Sequence, residues 1–188
     1  MRTGMKSKTA ERTALCGVLV GMMLVLGFME SLLPALPGVP GAKLGLANSV
    51  LLYGIYALSP GTTFILMVLK VVLSGLLFGG VNAMAYSFAG GLLSLLLMLL
   101  VKRAKGVSVI GVSMTGAVFH NVGQVAVAML VLSTTKLLYY MAALMIIGLV
   151  TGLMTGTIAM LVMKHLGIKV PLPDRKVPAV KKPVPHEV

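Results

Sequence analysis

The chain has 188 residues, 58% of them hydrophobic and only 11% charged, and its mean hydropathy is +1.03. A water-soluble domain carries roughly 25% charged residues, so the composition excludes a soluble fold and identifies the bilayer as the solvent. The formal net charge of +12 points to anionic lipid rather than to nucleic acid, because the basic residues fall at the ends of apolar runs and not beside base-reading or stacking elements.

Hydropathy predicts an all-α polytopic membrane protein with six transmembrane helices: Ala10 to Leu33, Leu44 to Leu58, Thr62 to Phe78, Ala83 to Val101, Ser108 to Leu132 and Leu137 to Met163. A spanning helix needs about 20 mainly apolar residues, so the second and third runs are short and are expected to be tilted, broken or partly re-entrant. No period-2 pattern argues for a barrel. The organisation that follows is a cytoplasmic N-terminal segment (1–9), a six-helix membrane domain (10–165) and a basic, Pro-rich cytoplasmic tail (166–188).

The first run is too long for the apolar region of a secretory signal and has no small-x-small cleavage site, so it reads as a helix. Ala10, Ala14, Gly17 and Gly21 recur along it at spacings of three or four residues, and Gly148, Gly152 and Gly156 do the same in the sixth. Small residues on one face let two backbones approach closely, either within the bundle or against a partner protein. Cys16, the only cysteine, has no disulfide partner and reads as a small packing residue.

With both termini cytoplasmic, thirteen of the sixteen Lys and Arg lie on the inner side. Lys43 and Lys136 are left outside and Lys70 lies within a helix. The positive-inside rule therefore favours an even number of crossings in the cell membrane.

An ionisable group at the bilayer centre costs on the order of 3 kcal/mol on insertion scales, so each polar residue in the slab needs a reason. The set is Glu30, Asn48, Lys70, Asn82, His120, Asn121 and Gln124, with Lys43 in the first outer loop. By depth they collect in the outer half, above an inner half that is almost pure hydrocarbon. Glu30 ends the first helix, Lys43 and Asn48 belong to "PGVPGAKLGLANS" (37–49), Asn82 to the next outer turn, and His120 and Gln124 share a face one turn apart. Lys70 either snorkels or bonds a neighbouring carbonyl, or it meets a ligand. This is the pattern of a cup open to the outside, which fits capture of a small-molecule substrate better than a channel or a proton pump. No metal-ligand spacing is present, no organic cofactor is implied, and no GxxxxGK[ST] phosphate loop exists with which to hydrolyse ATP.

The stretches "TALCGVLVGMML", "PGAKLGLANSV", "GGVNAMAYSFAGG" and "FHNVGQ" resemble the Gx transporter family, also catalogued as heptaprenyl diphosphate synthase component I, over about residues 10 to 165. That family is similar in architecture to the S components of energy-coupling factor (ECF) importers. The resemblance implies a solute site of Glu30, Lys43, Asn48, Asn82, His120, Asn121 and Gln124 under a cap formed by the Pro-Gly loop. It also implies docking of a transmembrane coupling subunit with its ATPases on Ala10, Ala14, Gly17 and Gly21. The synthase name implies instead a membrane anchor for an isoprenoid or redox enzyme. Prenyl transfer by this chain itself is not expected, because its four acids, Glu11, Glu30, Asp174 and Glu187, cannot form the aspartate-rich clusters that hold magnesium and diphosphate.

Overall fold

A computed structural model describes residues 2–32 and 45–168, with side chains from residue 10 onward. Lys43, the rest of the expected cap up to residue 44, and residues 169–188 of the tail lie outside the described residues. The chain forms α1 (Arg2–Leu32), α2 (Leu46–Ala57), α3 (Pro60–Ser74) with one π-helical turn (Gly75–Gly79), α4 (Gly80–Lys102), α5 (Val109–Val131) and α6 (Leu137–His165). Among the described residues there is no strand.

Local chemistry sets the ends. Ser59 and Ser108 sit before α3 and α5, and their hydroxyls accept from the backbone N–H of Thr62 and Gly111, each at 3.2 Å. These are N-caps that satisfy donors a helix start leaves open. Pro60 follows Ser59 at the first helical position, where its fixed φ and missing N–H do no harm.

Among the described residues, four apolar helical runs are long enough to cross a bilayer, namely Ala10–Leu32, Pro60–Lys102, Val109–Val131 and Leu137–His165. The second is 43 residues long and is not straight. A side chain added at Gly75 would strike Met84, and one added at Gly91 would strike Met67, so α3 and α4 lie antiparallel. The reversal falls at Gly80, whose φ of 74° suits only glycine. Among the described residues there are six α-helices, but α2 has only 12 residues. At 1.5 Å per residue it is about 18 Å long, short of the ~30 Å hydrocarbon layer. The third helix was the other one expected to be irregular, and it carries the π turn.

Directions alternate along the chain. Phe28 and Phe78 pair with ring centroids 5.3 Å apart, which places the ends of α1 and α3 together. Lys102 Nζ donates to the Ile55 carbonyl at 2.6 Å and lies 4.7 Å from the centre of the Tyr56 ring, which joins the ends of α2 and α4. The last carbonyls of α2 thus gain a cation where the helix dipole favours one.

Glycine seams hold α5 against both neighbours. A Cβ on Gly152 would lie 2.6 Å from Met114 Cα, and one on Gly156 3.0 Å from Ile110 Cα; the sixth-helix stripe therefore packs within the bundle. On the other flank a Cβ on Gly123 would lie 2.8 Å from Gly90 Cα. The first-helix stripe differs, since Ala10, Ala14, Gly17 and Gly21 are exposed and nothing stands within 4 Å of a Cβ built on Gly17 or Gly21.

The core is apolar and closes one end of the bundle, with Ile55, Leu66, Val109, Val112 and Met163 at most 2% exposed. The outer surface is apolar as well: Val18, Val25, Leu76, Leu130 and Ile146 are all exposed. Large hydrophobics facing outward on nearly every helix give the surface of a membrane protein, where lipid replaces water as their contact.

Candidate functional site

A cavity of about 170 Å³ lies between α1–α3 and α4–α6. Each helix contributes a stripe at helical spacing. On α5 it runs Ser113, Gly116, Ala117, His120, Asn121 and Gln124, all on one face. On α4 it runs from Ala83 through Ser87 and Ser94 to Met98, roughly 22 Å along the axis at 1.5 Å per residue. Below Met98 the buried Val109, Val112 and Met163 form a floor.

The mouth is built by a chain of hydrogen bonds across three helices. Glu30, only 9% exposed at the end of α1, accepts from the backbone N–H of Gly45 through Oε1. Gly45 caps α2 in the left-handed region at φ 74°, which a side chain would strain. Its carbonyl accepts from the Asn48 N–H at 2.8 Å. Asn48 Oδ1 then accepts from Lys70 Nζ of α3 at 2.6 Å. The lysine charge in the slab is thus met by a short, charge-assisted bond.

The opposite wall is α5. Gly90 lets α5 come close enough that a Cβ there would lie 2.5 Å from the His120 carbonyl and 3.1 Å from His120 Nδ1. Asn121 donates through Nδ2 to the Leu144 carbonyl of α6 at 2.7 Å, which ties the wall to α6. Deeper in, Ser113 Oγ and Thr155 Oγ1 are 3.2 Å apart, and the Thr155 hydroxyl also donates to the Thr151 carbonyl at 2.8 Å.

Of the residues expected to bind solute, Glu30, Asn48, His120, Asn121 and Gln124 all line this one cavity. Asn82 is exposed on the first turn of α4 and is not part of the lining. Lys43 is outside the described residues. Lys70, left between roles by the sequence, lines the cavity and bonds Asn48. The lining also reaches deeper than expected. Ser94, Ser113 and Thr155 carry hydroxyls past the midpoints of α4, α5 and α6, and Thr151 lies at the midpoint of α6, so the tail-side half is not pure hydrocarbon down to its floor. Sequence reasoning passed over these four because a Ser or Thr in an apolar helix commonly bonds its own preceding turn and says little about direction. Their signal was positional, since Thr151 and Thr155 are one turn apart beside the glycine stripe.

Among the described residues no group of three or more His, Cys, Asp or Glu side chains could hold a metal ion. What the arrangement offers is hydrogen-bond donors and acceptors around a partly apolar space, which is the make-up of a small-molecule site. Residues 19–162, well over half of the chain, match the model of the family described as heptaprenyl diphosphate synthase component I. No curated protein and no solved structure matches.

Proposed function

The chain belongs to the heptaprenyl diphosphate synthase component I family, and we propose that it is a substrate-binding membrane subunit of the S-component kind. In this reading it captures a small solute from outside the cell and relies on a separate ATP-driven module for uptake. The observation that carries the reading is a polar cavity with hydrogen-bonded side chains at its mouth and buried hydrocarbon at its floor. A pore needs a continuous wet path, whereas a capture subunit needs a pocket with a bottom.

Orientation follows from charge. Arg12, Lys102, Arg103, Lys105 and Lys164 lie at the floor end of the bundle, and Lys136 at the mouth end. The positive-inside rule puts the floor toward the cytoplasm and the mouth outside. The alternating directions of α1 to α6 fit six crossings of the cell membrane with both termini inside. Four acidic residues and no phosphate loop leave this chain binding rather than catalysing, so the energy comes from partner ATPases. The exposed stripe Ala10, Ala14, Gly17 and Gly21 is the proposed face for the coupling subunit.

Affinity purification of the full chain from its own membranes tests this. Copurification of a transmembrane coupling protein with ATPases, together with solute uptake lost on combining Asn48→Ala with His120→Ala, is the expected result. Copurification of a prenyl synthase or dehydrogenase instead, with uptake untouched, would replace this reading with that of a membrane anchor.

A further inference from the structure

The same cavity bears on the class of solute. It holds about 170 Å³, close to the ~150 Å³ that admits one benzene, a size suited to a single ring with short substituents. Among the described lining residues the formal charges are one of each sign, on Glu30 and Lys70. A diphosphate would bring two or more negative charges against a single lysine, and no second cation lines the described cavity. Against these two described charges, a singly charged solute of either sign would leave a net charge in a low-dielectric slab, which is unfavourable.

Glu30 gives the polarity of the pose. It is nine-tenths buried and lines the cavity. Oε1 accepts from the Gly45 N–H. A carboxylate has further lone pairs on both oxygens, able to accept from an N–H or ammonium donor in the cavity. On α2 and α3, the Nδ2 group of Asn48 and the ammonium of Lys70 are donors, suited to a carboxylate or carbonyl. We propose that the cavity selects a net-neutral, single-ring solute with a nitrogen donor directed at Glu30 and an oxygen acceptor directed at Asn48 and Lys70, and that it disfavours diphosphates. This deepens the capture reading and rests on it.

The test uses isosteric probes on the purified full chain in nanodiscs, read by ligand-observed NMR. The probes are L-proline (zwitterion), L-prolinamide (cation), cyclopentanecarboxylate (anion) and inorganic pyrophosphate. Proline is expected to bind best. Glu30→Gln keeps an acceptor for the Gly45 N–H but removes the charge, and it should weaken proline and prolinamide about tenfold without weakening the carboxylate. Lys70→Met should weaken proline and cyclopentanecarboxylate without weakening prolinamide. The rank order on the unaltered chain decides the matter even if a variant folds poorly. Tightest binding by cyclopentanecarboxylate or pyrophosphate, no binding by any probe, or equal losses for all probes in well-folded Glu30→Gln would overturn the inference. Copurification of ATPases is independent of these outcomes, so the importer reading stands or falls separately.

Discussion

Replacing Gly152 with alanine should unfold the bundle more readily, whereas the same change at Gly21 should not. Both are glycines in apolar helices, so alanine brings the same gain in helix propensity to each, up to about 1 kcal/mol. Their surroundings differ. At Gly152 the new methyl would sit 2.6 Å from Met114 Cα and 3.1 Å from both Met114 N and Ala117 Cβ, two of them backbone atoms that cannot swing aside. Carbon atoms rest at about 3.5–4.0 Å, so α5 and α6 must part by roughly 1 Å. Overpacking of this kind costs about 1–3 kcal/mol, which exceeds the propensity gain. At Gly21 nothing stands within 4 Å, and alanine should be neutral or slightly stabilising. Reversible unfolding in mixed micelles would read the difference as a shift in midpoint. If Gly152→Ala were as stable as Gly21→Ala, the seam would not be packed as described, and the α5 wall of the cavity would need rebuilding.

Three further outcomes follow from individual bonds. Asn48→Leu removes one acceptor of Lys70 and should destabilise the protein by about 1 kcal/mol, with solute uptake falling as well; an unchanged unfolding midpoint would speak against the 2.6 Å bond. Lys102→Met removes both the bond to the Ile55 carbonyl and the contact with the Tyr56 ring, and should lower stability by about 1 kcal/mol while solute affinity stays the same. Asn82→Ala should leave both stability and uptake untouched, because Asn82 is exposed and outside the cavity; a loss of uptake would bring that residue back into the site.

The sequence carried the helices well, because the boundaries rest on strong local chemistry. Ser59-Pro60, the glycine pair Gly79-Gly80 and Ser108 mark starts and reversals that any hydropathy reading meets. Residues that are polar enough to be expensive in lipid were also found, and Glu30, Asn48, His120, Asn121 and Gln124 converge as expected. Two kinds of information were not local. Asn48, which bonds Lys70, is 22 positions away from it in the chain, and only the fold of α2 against α3 brings the two within reach. Asn82 lies outside the lining for a related reason: one helical turn decides which way a side chain faces, and the reversal at Gly80 sets that rotation. The sixth-helix glycines were legible as a packing stripe, yet nothing in their spacing named α5 as the neighbour.

The glycine contacts on both flanks of α5 give the two sides of the binding space unequal freedom. Locked between α4 and α6 at near-backbone distance, α5 presents its imidazole and amides from a fixed position. The facing side offers Glu30 and Lys70, long side chains whose rotamers adjust. Accommodation of different guests should therefore be written in the carboxylate and the ammonium, and mutational tuning of selectivity should begin there and leave α5 alone.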